Sequence, residues 1–242
     1  MDTPSKYPKI KILELNSSSI RFKMFETNHS IANGLRRILI SEIPCLAFDS
    51  AEINENTSFL SDEMIAHRLG LVPLQCDNIE EFNIPEQCSC EGACPKCQVC
   101  FKLRVRAQRD KLLVYSGDIK NESKREQPGH SVKIFDADAP KGEGTILAKL
   151  GPNQKLEIVL VARRGIGKEH SKWSPAFVKF NYEGGEGNDS GENAPTEFEM
   201  EVESMGQMAP EKLVRTALKV LREKIDTAHE KFTSMHDLFD DT

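Results

Sequence analysis

The stretch "IANGLRRILISEIPCLAFDSAEI", residues 31–53, opens as an amphipathic helix. Ile31, Leu35, Ile38 and Leu39 fall on one face at helical spacing, while Arg36 and Arg37 point elsewhere. Asn28, just upstream, suits the N-cap, because its side-chain oxygen can accept from an orphaned amide of the first turn. Gly34 sits inside this helix, where it costs about 1 kcal/mol relative to alanine. Either a close neighbour requires it or the helix tolerates it. Upstream, "KIKILEL" (residues 9–15) reads as a strand, and Ile20, Phe22 and Met24 alternate with Arg21 and Lys23 as a second. Downstream, "SDEMIAHRLGLVPL" (residues 61–74) is a punctuated helix. Ser61 caps it, Asp62 and Glu63 suit its positive end, and His67 and Arg68 its negative end. Gly70 can take a left-handed C-cap, and Pro73 stops the chain. His67 has no paired nucleophile nearby, and dipole complementarity explains it without catalysis.

At 242 residues the chain has room for one large domain or two small ones. A hydrophobic content of 38% with 29% charged residues fits a soluble globular protein. "MDTPSKYPKIKILEL" has no apolar core of a signal peptide, and no apolar run approaches the roughly 18 residues of a membrane helix. A reducing compartment is therefore expected, where stable disulfides are rare. Thirty-two basic and 38 acidic residues give a formal charge of −6, and the acid is unevenly spread. Between Asn181 and Glu211 there is no Lys or Arg, while Glu183, Glu186, Asp189, Glu192, Glu197, Glu199, Glu201 and Glu203 accumulate. Such a segment repels phosphate backbones, so nucleic acid is disfavoured as a direct partner of most of this surface.

Further strands are expected where Val99, Phe101, Leu103 and Val105 alternate with Cys100, Lys102, Arg104 and Arg106, and in "ILAKL", "KLEIVLVARR" and "AFVKFNY". Phe198, Met200 and Val202 alternate with glutamates as one more. Residues 116–145 read as long loops, and "EGGEGNDSGENAP" (residues 183–195) as a flexible one.

Five of the seven cysteines lie in "CSCEGACPKCQVC", residues 88–100. Cys88, Cys90, Cys94 and Cys97 have the spacing C-x-C-x3-C-x2-C. Four thiolates make a closed tetrahedral structural zinc site, with Gly92 helping the chain reverse. An iron–sulfur centre and a redox pair are the alternatives. A thioredoxin-like pair calls for a strand before its C-x-x-C and a helix after it; here a strand follows Pro95 almost at once. Cys100 falls on the polar face of that strand, beside Lys102 and Arg104, whose charges can offset the −2 of a zinc tetrathiolate. With all four ligands within ten positions, the metal orders a local loop and is structural, not catalytic.

Pro210 suits the first turn of a C-terminal helix. Val214, Leu218, Leu221, Ile225, Ala228, Phe232, Met235 and Phe239 recur at alternating steps of 4 and 3, a heptad seam on a helix of about 35–40 Å. The seam can lie on the protein's own sheet, but a narrow stripe of this length better suits a helix of another chain.

The 31–53 stretch, followed by "DEMIAHRLGLVPL", resembles the α-subunit signature of multisubunit RNA polymerases. The cysteine spacing and "RRGIGKEHSKWSP" (residues 163–175) narrow the similarity to the third-largest-subunit class of eukaryotic RNA polymerase II, from about Lys9 to the C-terminal helix. The resemblance implies an α+β fold. An α-subunit-type dimerisation domain is formed by both chain ends, residues 1–45 and 171–242. An inserted, mainly-β domain, residues 46–170, carries the zinc loop, residues 88–97.

It further implies a non-catalytic assembly subunit that pairs with a smaller α-like subunit through the first and last helices. That heterodimer is the platform for the second-largest subunit and two small zinc-binding subunits. DNA is met only through the complex, no membrane is involved, and the location is the nucleus. Cys88, Cys90, Cys94 and Cys97 match the family's zinc ligands and Cys100 does not. Arg36 and Arg37 match an arginine pair where the large β-type subunit docks. The partner-binding set is Ile31, Leu35, Arg36, Arg37, Ile38 and Leu39 with Val214, Leu218, Leu221, Ile225, Ala228, Phe232 and Met235. No compact acidic cluster for nucleotidyl transfer is evident, so no catalytic residue is expected. The loop at 183–195 is shorter than is usual in the family. The alternatives are the archaeal or polymerase I/III α-like subunit, a free-standing zinc-binding adaptor and an oxidoreductase.

Overall fold

The computed structural model describes residues 8–90, 93–124, 127–136, 139–140, 144–182 and 196–240, without the side chains of 128, 130 and 235–240. The chain begins with strands β1 (Lys9–Leu15) and β2 (Ser19–Phe25), helix α1 (His29–Ser41), strand β3 (Pro44–Asn56) and helix α2 (Asp62–Gly70). Strands β4 (Leu74–Gln75), β5 (Gln98–Arg106), β6 (Leu112–Tyr115), β7 (Ile119–Asn121), β8 (Lys133–Ile134), β9 (Ile146–Leu150) and β10 (Lys155–Ile166) follow. The order closes with β11 (Ala176–Asn181), β12 (Phe198–Ser204) and α3 (Pro210–Asp240). These elements form two compact units. The first holds residues 1–43, 174–205 and 209–242; the second holds 44–173 and the short segment 206–208.

The first unit is an antiparallel sheet in the order β1-β2-β12-β11, with α1 and α3 packed on one face. Its core follows from register. Ile20, Phe22 and Met24 of β2 stand opposite Val202, Met200 and Phe198 of β12, so the apolar residues of both strands share the helix-covered face. All six are buried. The other face is a lattice of charges. Glu199 lies 3.7 Å from Lys23 and 3.8 Å from Arg21, and Glu201 lies 3.4 Å from Lys179. The acidic run read at 181–203 is therefore partly matched by neighbouring basic strands where it is described, and residues 183–195 lie outside the described part.

Asn28 caps α1, accepting from the Ile31 amide at 2.9 Å. The buried face is Ala32, Leu35, Ile38 and Leu39, and Ile31 is exposed. A Cβ built on Gly34 meets nothing within 4 Å, so no neighbour among the described residues requires the glycine. Helix α3 runs 31 residues, about 46 Å and longer than the sequence estimate. Leu213, Val214 and Ala217 are buried against its own unit, whereas every described side chain from 222 to 234 is exposed.

The second unit is built on an antiparallel sheet in the order β3-β10-β5-β7, with ribbons β4-β8 and β6-β9. Phe48 of β3 meets Phe101 of β5 edge to face at 5.2 Å, within a core that includes Ile65 and Leu69 of α2. Ser61 caps α2, accepting from the Met64 amide at 3.5 Å. The helix does not end on a left-handed glycine. Leu71 and Val72 donate back to Arg68 and Leu69 in tight turns, and Leu71 stays in right-handed geometry. The region 116–145, read as loops, contains β7 and β8.

Candidate metal centre and assembly surfaces

Local turns gather the four cysteines of residues 88–97. The amides of Cys97 and Gln98 both donate to the Cys94 carbonyl at 3.1 Å, curling "CPKC" into a knuckle. Asn83 closes the loop, its amide donating to the Lys96 carbonyl at 2.7 Å and its side chain to the Cys88 sulfur at 3.7 Å. The Sγ pairs Cys88–Cys94, Cys90–Cys97 and Cys94–Cys97 each stand 3.6 Å apart, and all four atoms lie within 4.8 Å of one another. Tetrahedral thiolate coordination with bonds of about 2.3 Å calls for sulfurs roughly 3.8 Å apart; a disulfide calls for about 2.05 Å. The observed spacing fits a shared cation and not sulfur–sulfur bonds. These four thiols can hold a metal ion, and among the described residues no other group of three or more His, Cys, Asp or Glu side chains can. Gly92 lies outside the described residues.

The other cysteines stand apart. The Cys100 thiol, on β5, receives the Gln98 side-chain amide at 4.0 Å. Arg104, expected to offset charge near the cluster, is held by Glu157 at 2.5 Å instead. Burial, with Cys76 nearby, pushes the Cys45 thiol up to about 12, so it stays protonated and unreactive.

Within the cluster, hydrogen bonds from the Cys90 backbone and the Asn83 side chain hold the Cys88 thiol down to about 6. Burial pushes Cys97 up to about 12. A cation that takes all four as thiolates must release protons, so acid competes with it. Bound metal should therefore be retained at neutral pH and lost progressively as the pH is lowered. Metal release into a chromogenic chelator, followed across pH, checks this; release independent of pH would contradict thiolate ligation.

The candidate assembly residues divide sharply by exposure. Leu35, Ile38, Leu39 and Val214 are buried inside their own unit, so their side chains do not reach its surface. On α1, Ile31 and Arg37 are exposed and Arg36 is half-buried, its Nε donating to Asn33 at 3.0 Å. On α3, Leu221 is half-buried, and Leu218, Ile225, Ala228 and Phe232 are exposed on one stripe. The Met235 and Phe239 side chains lie outside the described residues.

The family description "RNA polymerase Rpb3/RpoA insert domain" matches residues 51–177. "DNA-directed RNA polymerase II subunit RPB3" of Schizosaccharomyces pombe is 32% identical over 255 residues, covering 89% of this chain and 84% of that protein. The chain belongs to the Rpb3/RpoA family. "DNA-directed RNA polymerases II, IV and V subunit 3" of Arabidopsis thaliana is 40% identical over 187 residues, 75% of this chain. "DNA-directed RNA polymerase II subunit rpb3" of Dictyostelium discoideum is 38% identical over 176 residues, 72% of this chain. The chain spans 59% and 57% of the lengths of these last two relatives.

Within the segment matched to the Rpb3/RpoA insert domain, the motif residues that are not cysteines act as pins. Arg68 of α2 donates to the Leu147 carbonyl at 2.9 Å and the Ile146 carbonyl at 2.6 Å, tying the helix to β9. Its position in the last turn suggested only a dipole role. Arg164 donates to the Phe82 carbonyl at 2.9 Å, bracing the chain that leads into the cysteine loop. Trp173 donates to the Arg163 carbonyl at 3.1 Å, and its ring lies so close to Gly165 that a Cβ there would come within 2.5 Å of it. Lys172 sits 4.2 Å from that ring's centroid and 2.7 Å from Asp49. Only the fold shows that Gly165 and Trp173 meet. His67 lines a cleft with Asp49, His170 and Lys172. No helix among the described residues is long and apolar enough to cross a membrane.

Proposed function

We propose that this chain is a non-catalytic assembly subunit of a DNA-directed RNA polymerase of the polymerase II class, working in the nucleus. Residues 1–45 and 171–242 act as the dimerisation domain and residues 46–170 as the insert domain. The observation that carries the reading is α3, whose outer half shows an uncovered apolar stripe in a chain of the Rpb3/RpoA family. A stripe at heptad spacing suits a helix of a second chain, and the partner is the smaller α-like subunit. The heterodimer then receives the second-largest subunit and two small zinc-binding subunits, and DNA is met only through the complex. The metal is one structural zinc per chain on Cys88, Cys90, Cys94 and Cys97, supported by an all-thiolate donor set at tetrahedral spacing.

Affinity purification of the tagged chain should bring down the smaller α-like subunit and the second-largest subunit together. Elution of the chain alone from a lysate containing assembled polymerase would remove the reading. Arg36 and Arg37 are assigned to the docking of the second-largest subunit. Replacing both with Glu should leave the heterodimer intact and abolish capture of that subunit, because reversed charge at a docked arginine pair costs several kcal/mol. Unchanged capture would return both residues to a solvated helix face.

A further inference from the structure

The cysteine loop has two halves that must be held face to face. Cys88 and Cys90 form one, Cys94 and Cys97 the other, and the sulfurs of Cys88 and Cys94, like those of Cys90 and Cys97, stand 3.6 Å apart across the gap. Thiolates brought so close repel one another until a cation joins them. Contacts that hold the halves together without the metal therefore lower the cost of binding it. Asn83 makes a contact to each half. Its backbone amide donates to the carbonyl of Lys96, inside the knuckle, at 2.7 Å. Its side-chain Nδ2 donates to Cys88 Sγ at 3.7 Å.

Asn83 is itself firmly placed. Phe82, next to it, is buried in the core of its unit, and the Phe82 carbonyl accepts from Arg164 of β10 at 2.9 Å. On the other side the chain turns tightly. The amides of Gln87 and Cys88 donate to the carbonyls of Ile84 and Pro85 at 3.0 and 3.3 Å, which returns Cys88 to within reach of the Asn83 side chain. A line of contacts thus runs from the sheet, through Arg164, Phe82 and Asn83, to a ligand sulfur. The residue type suits the task. A metal-bound thiolate only accepts, and an asparagine amide offers N–H donors on a short, uncharged arm. Aspartate has the same shape and no donor, and its charge would oppose the net negative charge of a zinc tetrathiolate. The loop's closure onto Lys96 needs only the backbone of Asn83, so the side chain's bond to sulfur is additional to it.

Resting on the proposed zinc site, we infer that Asn83 is a positioning residue for the metal. Its N–H···S hydrogen bond orients the Cys88 sulfur and draws off part of its negative charge, and its backbone bond sets the knuckle opposite. Outer contacts of this kind change metal affinity roughly 10–100-fold. Asn83 lies outside the C-x-C-x3-C-x2-C spacing, so the cysteine pattern alone gives no sign of it.

The test uses the full chain loaded with zinc and, in parallel, with cobalt(II), whose spectrum reports on its sulfur ligands. Asn83→Leu keeps the backbone bond and removes the donor. Asn83→Asp keeps the shape and reverses the polarity, and Asn83→Gln restores the amide on a longer arm. In competition with a chelator, zinc affinity should fall about tenfold in Asn83→Leu, further in Asn83→Asp, and return toward the unmodified value in Asn83→Gln. The sulfur-to-cobalt charge-transfer band should move to lower energy in Asn83→Leu and Asn83→Asp, because a sulfur that loses a hydrogen bond releases its electrons more easily. The d–d bands should stay those of a tetrahedral site. Unchanged affinity and an unmoved band in Asn83→Leu would overturn the inference and leave the zinc site standing. Weaker binding with an unmoved band would overturn it too, returning Asn83 to a role in the turn alone. If the unmodified chain binds no zinc, the proposed site falls, and this inference with it.

Discussion

Cys94→Ser should lose the bound metal completely and unfold the loop around residues 83–97, while Cys100→Ser keeps one metal per chain. The contrast follows from geometry. Cys94 is the hinge of the cluster: its sulfur is 3.6 Å from those of Cys88 and Cys97, and its carbonyl holds two amides of the knuckle. Three thiols and a hydroxyl cannot reproduce a closed tetrathiolate site. A structural zinc contributes on the order of 10 kcal/mol to its local fold, far more than the loop's few hydrogen bonds replace. Past the buried Phe82 little else holds the loop, and its described residues between Asn83 and Cys97 form no regular structure beyond one short turn, Pro85–Gln87. Damage should stop at the start of β5, which is paired along its length with β10. Elemental analysis gives the stoichiometry, and limited proteolysis shows whether cleavage is confined to the loop. Wild-type protein without metal, or loss of metal in the Cys100 variant, would overturn the ligand assignment.

The cysteine cluster was legible because its parts are close in sequence: four ligands in ten positions leave the chain few ways to arrange them. The caps were legible for the same reason, since Asn28 and Ser61 act on amides three residues away. Strands with strict alternation, such as β2, β5 and β12, could be read from period two. Strand β3 could not. Its first half is buried at four consecutive positions, Cys45 to Phe48, and bulges in its pairing with β10 break the alternation. Strands β7 and β8 are too short to have a period at all. Spacing placed Ile31 on one face with Leu35, Ile38 and Leu39; in the structure Ala32 completes the buried face and Ile31 is exposed, a difference of one residue that apolar pattern alone does not resolve. The Trp173–Gly165 contact and the Arg68 and Arg164 pins depend on which strands lie side by side, and spacing carries no such information.

The heptad seam shows the same limit and leads to the second large effect. Periodicity marked one stripe from Val214 onward without showing where the protein's own sheet ends beneath it. In the structure that point is near Leu221: Val214 is buried, Leu221 half-buried and Ile225 exposed. Ile225→Asp therefore tests association separately from folding. In the isolated chain the residue faces water, and an exposed aspartate in a helix costs only about 0.7 kcal/mol or less in propensity. In the heterodimer the same carboxylate would be buried against the partner's helix, where an unpaired charge must either open the interface or take up a proton. The expected result is a folded, metal-bound chain that no longer co-elutes with the smaller α-like subunit in size-exclusion chromatography at pH 7.5. Because protonation removes the charge, partial recovery is expected near pH 5, provided the run is short enough to precede metal loss. Ile225→Asn, which cannot be neutralised by acid, should not recover, and the pair separates charge from shape. Freed of its partner, the wild-type chain should associate non-specifically through the uncovered stripe, and the Asp variant should do so less. Co-elution of Ile225→Asp with the partner at neutral pH would mean that the outer half of α3 is not the dimer contact, and the assembly reading would have to rest on another surface.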